Sequence, residues 1–473
     1  MKKFTKILLI GCLLVTVSCN NWLDVDPKSQ VKDKDLFASE MGFKEALSGV
    51  YSLMTKEALY GKELTFGWLG VLGQEWTSVP YNYEDDQKYD FENAASEVRI
   101  DSVWTGLYNA IANANKLLKE LEGKENLFSG DNYSIIKGEV LALRAYLHFD
   151  LLRIFGASCA VGMERIAIPY VTEYAPTIFP QEKVGDFVGK VLKDLQDAAK
   201  CLENDPILTG RTVSEIDDNG YLMNRQVHLN YYAVKGLMAR VYLYKGDYAN
   251  AEVCAKEVIG SGCFEWVKQE NLTNESVADL TFSTEHLFAL NIVTLGNIVD
   301  KYLDGGNNSF ALEESRLSEY YGSSYDYRYL YLFKTGVGMS NTLRYLKKYD
   351  QLESVSWAQS YRNKLPLICL PEMYYILAEC RYHSSGDVLE PLNEVCRHRG
   401  VADLSEADLS AFETLLLAEY RKEVIGGGQL FFQYKRLNRS VVPGTDVDLA
   451  GEGRYVIPMP KEELENPGWV SNQ

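Results

Sequence analysis

The stretch "YYAVKGLMARVYLYKGDYANAEVCAKEVIG" (residues 231–260) decides the fold. It divides into two helical halves at Gly246 and Asp247, and its apolar and small residues follow the helix–turn–helix pattern of a tetratricopeptide repeat. Small side chains at Ala239 and Ala251 let the two helices approach each other closely. The stretch therefore predicts a packed pair of helices.

A second copy of this pattern lies far along the chain, in "YYILAECRYHSSGDVLEPLNEVCRHRG" (374–400). At a constant offset of 140 positions, the turn residues Tyr242, Gly246 and Asp247 recur as Tyr382, Gly386 and Asp387. The two copies are therefore not in tandem. Segments 109–121, 135–155 and 184–202 have the same helical character, so we predict a mainly α-helical scaffold of tetratricopeptide-like helix pairs.

One of these helices carries a charge inside an apolar sequence. In "YSIIKGEVLALRAYLHFDLLRIFG" (133–156), apolar residues recur at spacings of three and four and cover nearly the whole helix surface. Arg144 lies within this run, and a buried charge requires a partner. We expect a carboxylate or a helix end beside Arg144.

The segment between the two copies, about 262–370, has a different character. It is rich in Gly, Asn, Ser and Tyr, which favour loops and short strands. The tyrosines from Tyr325 to Tyr331 alternate with a period of two, as on one face of a strand. Loops on a rigid scaffold commonly carry binding sites, so we expect the ligand site among these loops and strands.

The N-terminus has the layout of a secreted lipoprotein. A basic start and a short apolar run end at Ser18, before Cys19, and about eleven apolar residues are too few to span a bilayer that needs about 20. We assign 1–18 to a lipoprotein signal peptide, Cys19 to the lipid anchor, and 19–34 to a tether. A cut before Cys12 and a plain secreted protein are the alternatives. Residues 35–473 then form a single domain.

Composition excludes several classes of protein. The net charge is −18, or −21 once Lys2, Lys3 and Lys6 leave with the signal (−18 minus 3), and such an acidic surface disfavours nucleic acid. Seven scattered cysteines remain after Cys12 and Cys19, with no pattern of a disulfide framework or zinc site. No catalytic or phosphate-binding motif is present. We therefore predict no enzymatic activity, no metal and no cofactor.

Six pieces of the chain, in order, resemble the SusD/RagB family of Bacteroidetes nutrient-uptake lipoproteins. They are "NNWLDVDP" after Cys19, "GEVLALRAYLHFDLLRIFG", "GLMARVYLYKGDYANAEVCAKEVI", "LPEMYYILAECRY", "YRKEVIGGGQLFFQYKRLNR" and "YVIPMPKEELENPGW". The resemblance implies four tetratricopeptide-like helix pairs and an outer-membrane lipid anchor facing the extracellular medium. It also implies that the protein docks on a SusC-like TonB-dependent transporter and binds glycans or peptides as ligands.

Two aromatic clusters are candidates for ligand contact, since such pockets mix aromatic rings with a few polar groups. In "QEWTSVPYNYEDDQKYDF" (74–91), a loop between helices, rings are predicted to stack on sugars while amides and carboxylates bind hydroxyls. These residues are Trp76, Tyr81 and Tyr83, with Asn82, Asp85 and Asp86. The second cluster is Tyr320, Tyr321 and Tyr325, with Trp357 further on. The alternative for both is that the rings pack the loops onto the helices.

The sequence thus predicts a cell-surface protein that binds oligosaccharide and delivers it to a SusC-like transporter. A peptide-binding homologue is one alternative, and a glycan-degrading surface enzyme is another. As a member of an exposed loop, Trp76 is predicted to contribute to binding and little to stability.

Overall fold

The structure is a computed structural model that describes residues 34–210, 220–274, 276–306, 308–336, 342–351 and 361–472. The predicted signal peptide, Cys19, most of the tether and Trp357 lie outside these residues. In the described ranges, no helix has the length and apolar character needed to cross a membrane. The seven cysteines at positions 159 to 396 are free thiols.

Helices dominate the described chain, which confirms the predicted mainly α-helical class. They are α1 Glu40–Met54, α2 Trp68–Leu72, α3 Ala94–Leu121, α4 Asn132–Phe155, α5 Cys159–Gly162, α6 Val184–Cys201, α7 Pro206–Thr209, α8 Tyr231–Lys245, α9 Tyr248–Ile259, α10 Glu270–Thr273, α11 Leu295–Tyr302, α12 Glu314–Tyr321, α13 Tyr327–Tyr331, α14 Leu370–His383, α15 Leu389–His398, α16 Phe412–Val424 and α17 Leu430–Arg436.

The strands are short and fall into small antiparallel groups. They are β1 Ile166–Pro169, β2 Gln181–Lys183, β3 His286–Asn291, β4 Leu312–Glu313, β5 Phe333–Thr335, β6 Leu343–Leu346 and β7 Lys364–Cys369. β1 pairs with β2, β3 pairs with β7 from His286 opposite Cys369 to Asn291 opposite Lys364, and β6 lies between β4 and β5.

The long helices pack side by side in a continuous row. Their order in space is α1, α3, α4, α6, α8, α9, α14 and α15. The predicted helical segments 109–121, 135–155 and 184–202 lie in α3, α4 and α6. α4 is buried on almost every side, since neighbours cover it on both flanks. These packed pairs match the predicted tetratricopeptide-like scaffold.

The two sequence copies are the pairs α8/α9 and α14/α15, and α9 packs directly on α14. Copies that are distant in sequence are therefore neighbours in space. Gly246 ends α8 with a left-handed backbone, φ 80°, and the Asp247 side chain then accepts from the backbone N–H of Asn250 at 3.2 Å. In the second copy, Ser385 takes the positive φ, 57°, rather than Gly386.

The predicted partner of Arg144 is present. Its guanidinium donates two hydrogen bonds of 2.7 Å to the carboxylate of Asp194 on α6, and a third of 3.0 Å to Asn115 on α3. One arginine therefore ties together three neighbouring helices of the row. Arg240 on α8 likewise joins the first copy to the second, through hydrogen bonds of 2.6 Å to Glu372 on α14.

The prediction of a strand through the period-two tyrosines is wrong. Tyr327–Tyr331 form the short helix α13, which begins where the Asp326 side chain accepts from the backbone N–H of Arg328 at 2.9 Å. The fully buried guanidinium of Arg328 also binds Asp326, Glu419 and Glu423. The cap by Asp326 and the ion pairs of Arg328 favour a helical turn here, and the spacing of the tyrosines carries no information about either.

A buried arginine joins three parts of the chain that are remote in sequence. Arg399 lies at the end of the second copy. It donates to Glu285 at 2.6 Å, in the segment between the two copies (about 262–370) that we call the insertion, and to Glu423 of α16 at 2.8 Å. Arg399 and Glu285 are completely buried. Their pairing therefore fixes the insertion against the helical row.

Replacing Arg399 with Met should destabilise the protein by about 3 kcal/mol or more, because it leaves Glu285 buried without its cation and removes one of the two arginines that bind Glu423. Urea denaturation followed by circular dichroism measures the change in the free energy of unfolding. Arg397→Met is the matched control, since Arg397 pairs with Asp403 at the exposed surface and should change stability little. Equal losses from both variants would contradict this account.

Candidate functional site

The two segments that the sequence singled out, 74–91 and 320–325, approach each other through the strand β4. Ser78 and Ala311 form an isolated antiparallel bridge with N–H···O distances of 3.0 Å in both directions. The backbone N–H of Glu313 then donates to the Thr77 hydroxyl at 2.7 Å. Since α12 follows β4 directly, this bridge places α12 beside the 74–88 segment.

An aromatic cluster lies beneath this junction, centred on the fully buried ring of Phe310. The ring centroid of Phe310 is 5.1 Å from that of Tyr83, and 6.0 Å from those of Trp76 and Phe66. Trp76 and Tyr83 of the first predicted cluster therefore form part of the hydrophobic core.

The prediction of an exposed Trp76 is wrong. Its side chain is 2% exposed, and its indole N–H donates to the carbonyl of Phe66 at 2.7 Å. The ring lies against Gly70, where any Cβ would come within 2.7 Å of the indole nitrogen. The indole is therefore enclosed by the protein, and part of that enclosure is Phe310, which comes from a remote part of the chain.

Tyr83 and Asp86 are also buried, contrary to their predicted exposure. The Tyr83 hydroxyl donates to Glu63 at 2.8 Å, and the guanidinium of Arg99 lies 3.9 Å from its ring centroid. Asp86 accepts from Trp68 Nε1 at 3.0 Å and contacts Arg99. Burial raises the pKa of Asp86 to about 6, against the opposing charge of Arg99. These groups hold the loop onto α2 and α3.

The remaining predicted residues divide by exposure. Tyr81 and Asn82 are exposed, and the Tyr81 side chain is 86% exposed. Tyr325 is 76% exposed, whereas Tyr321 is buried and donates its hydroxyl to the carbonyl of Lys422 at 3.0 Å. Ligand contacts by Tyr81, Asn82 and Tyr325 stay predictions.

The junction opens into a cleft of about 820 Å³, which we call the junction cleft. Its walls are the 74–88 segment, the beginning and end of α12, and the 441–447 segment. A volume of this size is within the range of about 300–1,000 Å³ for small-molecule sites. Tyr320 is the member of the second predicted cluster that lines this cleft.

The wall at 441–447 carries no pattern that the sequence analysis used. Gly444 has φ 105°, a conformation that favours glycine, and a Cβ there would come within 3.1 Å of the Gln74 side chain. The adjacent Pro443 and Gly444 predict a turn, but they do not predict which part of the protein that turn packs against. At the rim of this wall, the Val441 side chain is 79% exposed.

Tyr320 is held on one ring face by a buried arginine. The guanidinium carbon of Arg421 lies 4.1 Å from the ring centroid, and Arg421 also donates to the hydroxyl of Tyr434. Burial raises the pKa of Tyr320 despite the charge of Arg421. A neutral phenol on a fixed ring therefore borders the cleft, able to offer both an apolar surface and a hydrogen-bonding hydroxyl.

The polar groups around the ring are mixed in charge. Lys88, Glu313 and Asp446 are exposed cleft residues whose side-chain charges have no ion pair among the described residues. Thr77 and Gln87 add neutral groups, and Gln87 donates to the carbonyl of Trp76 at 2.9 Å. The cleft can thus hydrogen-bond a polar ligand over a surface that is not dominated by one sign of charge.

A buried carboxyl anchors the cleft to the glycine-rich turn near α17. Glu75 accepts from the backbone N–H of Gly426 at 2.7 Å and is fully buried. Burial raises the pKa of Glu75 to about 8, although Gly426, Lys348 and Arg421 oppose the shift. Glu75 thus ties "IGGGQ" to the segment before Trp76. Gly426 and Gly428 have φ 72° and 69°, and a Cβ at either would come within 2.5 Å of a neighbouring residue, so glycine is required for structural reasons.

Comparison with known proteins agrees with this architecture. The sequence model of the SusD-like family described as "Starch-binding associating with outer membrane" matches residues 21–243. SusD-like protein P38 of Formosa agariphila is 24% identical over 269 residues, which are 56% of this chain and 47% of that protein. The chain spans about half or less of the length of the curated relatives it matches.

Solved structures show the same fold. A SusD superfamily protein from Bacteroides thetaiotaomicron superposes with a TM-score of 0.74 at 21% identity, covering 92% of this chain and 100% of that one. The surface glycan-binding protein A of Bacteroides uniformis gives a TM-score of 0.70 at 17% identity, covering 92% and 99%. At these identities the likeness establishes the fold.

Replacing Trp76 with Ala should destabilise the protein by about 3 to 5 kcal/mol, because it leaves a large cavity beside Phe310. Chemical denaturation of the purified domain measures this loss. Tyr81→Ala is the matched control, since the exposed Tyr81 ring should contribute little to stability. A Trp76→Ala variant as stable as the wild type would show that this ring is not part of the core.

Proposed function

The chain belongs to the SusD-like family, and from that premise we propose that it binds oligosaccharides at the cell surface, in the junction cleft. The observation that carries this proposal is the convergence of both predicted segments on one cleft of about 820 Å³ bordered by Tyr320. The family description as starch-binding, and the name of the glycan-binding neighbour, support a carbohydrate ligand.

The chemistry of the cleft suits a sugar. A pyranose has an apolar C–H face and a rim of hydroxyls, so it needs both a hydrophobic surface and several hydrogen-bonding groups. Tyr320 and Val441 supply apolar surface, and Thr77, Gln87 and Thr445 supply neutral polar groups. Because Arg421 holds Tyr320 from one side, the ring is oriented before the ligand arrives, which lowers the entropic cost of binding.

We further propose that the chain is lipid-anchored at Cys19 in the outer membrane, faces the extracellular medium, and delivers its ligand to a SusC-like TonB-dependent transporter. The family description as associating with the outer membrane supports this location. The polar residues that follow Cys19 give a tether between the anchor and the folded domain.

A peptide ligand is the second candidate. Glu313 and Asp446 border the cleft with no cation paired to them among the described residues, so they favour a basic peptide over an acidic one. Two carboxylates in one cleft are also what a glycosidase requires. We propose binding without cleavage, and the test below therefore includes an assay for products.

Tyr320→Ala should weaken oligosaccharide binding by at least 2 kcal/mol, roughly 30-fold, because it removes an anchored ring from the cleft. Calorimetric titration with maltoheptaose, a starch fragment, and with a β-1,3-glucan oligosaccharide measures the dissociation constants. Tyr325→Ala is the matched control: it removes an exposed tyrosine that does not line the cleft and should leave affinity unchanged.

Chromatography of the same mixtures after long incubation should recover the oligosaccharides intact. Loss of affinity in Tyr325→Ala but not in Tyr320→Ala would move the site away from the cleft. Binding of basic peptides without binding of any glycan would favour the second candidate, and shortened glycans would favour an enzyme.

Cys19→Ala should release the protein from the membrane fraction of the cells that produce it, because several acyl chains are needed for a stable anchor and the variant can receive none. Immunoblots of membrane and soluble fractions measure the distribution. Cys12→Ala is the control and should remain in the membrane fraction. Membrane retention of Cys19→Ala together with release of Cys12→Ala would identify Cys12 as the lipid-anchored residue.

A further inference from the structure

A second cavity, of about 760 Å³, lies between α1 and α11 and shares no lining residue with the junction cleft. We call it the α1/α11 cavity. Its floor includes His228 and the end of β3 at Leu290, and the Val293 side chain at its edge is 69% exposed. Its volume is again within the range of small-molecule sites.

A buried carboxylate fixes the histidine in this floor. Glu139 is fully buried and accepts from His228 Nδ1 at 2.9 Å, from Arg225 at 2.7 Å and from the Tyr51 hydroxyl at 2.9 Å. Burial opposes its charge, but His228 and Arg225 lower the pKa of Glu139 to about 2. Glu139 is therefore a pure acceptor, and His228 must donate from Nδ1.

This arrangement determines what His228 presents to the cavity. Nε2 is the ring nitrogen left to face it: this atom accepts a hydrogen bond when the imidazole is neutral and donates one when it is protonated. Nε2 has no hydrogen-bond partner among the described residues, and the side chain is 15% exposed. The rings of Tyr51 and Tyr221 lie 5.5 Å and 5.2 Å from the imidazole and restrict its rotation. Nε2 of His228 is thus an oriented hydrogen-bonding atom at the floor of an open cavity.

The facing wall is lined by neutral polar groups on one side of a helix. Ser48 and Ser52 of α1, and Thr55 directly after it, follow a spacing of four and three, so their side chains share a face. The Ser48 and Thr55 hydroxyls donate to the carbonyls of Lys44 at 2.9 Å and Ser52 at 2.8 Å, so they can accept from a ligand. On the other side, Asn297 of α11 is exposed, and its amide, which can donate and accept, has no partner among the described residues. These groups suit a ligand that carries many hydroxyls.

One ion pair and one further cation lie at the cavity. The carboxylate of Glu57 already accepts from the Tyr302 hydroxyl at 2.8 Å and from Lys301 at 3.4 Å. Lys56 is the lining cation without an ion pair among the described residues. At the floor, a ligand hydroxyl matches His228 Nε2 in either protonation state, because a hydroxyl can both donate and accept.

We propose that the α1/α11 cavity is a second carbohydrate site, for an uncharged sugar unit that forms a hydrogen bond from a hydroxyl to His228 Nε2 and is held by the Ser48–Ser52–Thr55 face and Asn297. This site does not depend on the proposed role of the junction cleft. It would let the protein hold a glycan chain at two places.

The histidines themselves report on this proposal, because the chain contains only five. Protein labelled with ¹³C-histidine gives few imidazole signals, and His228→Asn identifies the signal of His228. Asn is chosen because its amide can still donate to Glu139 while it lacks a group at the position of Nε2. The spectra are recorded at one fixed pH, so that a shift reports the ligand and not a change of protonation, during titration with maltoheptaose, laminarihexaose and cellohexaose.

At least one of these neutral glucans should shift the His228 signal in a saturable manner. The Tyr320→Ala variant should show the same shift, because that substitution affects only the junction cleft. Asn297→Trp, which fills the cavity from an exposed position, should weaken the shift at least roughly tenfold in apparent affinity. Thermal melts of both variants should match the wild type.

Four results would overturn the proposal. One is the absence of a His228 shift with all three glucans. A second is an unchanged shift in Asn297→Trp, which would place the ligand elsewhere. The third is loss of the shift in Tyr320→Ala, which would mean that the signal is transmitted from the junction cleft. A shift with oligogalacturonate alone would also overturn the choice of an uncharged ligand.

Discussion

The structure depends on one buried ion pair, between Arg399 and Glu285. Both groups are withdrawn from water, so each is tolerated only while the other is in place. Glu423 of α16 shares Arg399 with Glu285 and also binds Arg328 of the insertion. This network holds the inserted segment against the helical row, and it places α12 on α16, where Arg421 supports Tyr320. The orientation of the cleft therefore follows from charges that lie far from it.

Both candidate sites form where the insertion meets the N-terminal helices. The junction cleft lies between the 74–88 segment and α12, and the α1/α11 cavity lies between the first long helix and another helix of the insertion. A long insertion placed across the helical row leaves concave spaces at the seams. The buried carboxyl groups of Glu75 and Glu139 hold the walls of those spaces through their hydrogen bonds to Gly426 and His228.

The sequence was sufficient to predict the helix pairs, their turn at Gly246 and the partner of Arg144, because periodicity and the cost of a buried charge are local signals. It failed for Trp76 and Tyr83, because their burial is caused by Phe310, which is more than 200 positions away. It singled out Tyr320, which borders the cleft and whose ligand contact stays a prediction, but the wall at 441–447 has no signal beyond the turn at Pro443 and Gly444. A loop rich in aromatic residues can pack inward or face outward, and only tertiary contacts decide between them.

The central claim is that ligand occupies the junction cleft rather than the exposed tyrosines on either side of it. A crystal structure of the domain with a bound oligosaccharide tests this claim most directly. Our account predicts sugar density between Tyr320 and the 441–447 wall, within hydrogen-bonding distance of residues of the 74–88 segment. Density that lies only over Tyr81 or Tyr325, with the cleft filled by water, would contradict it.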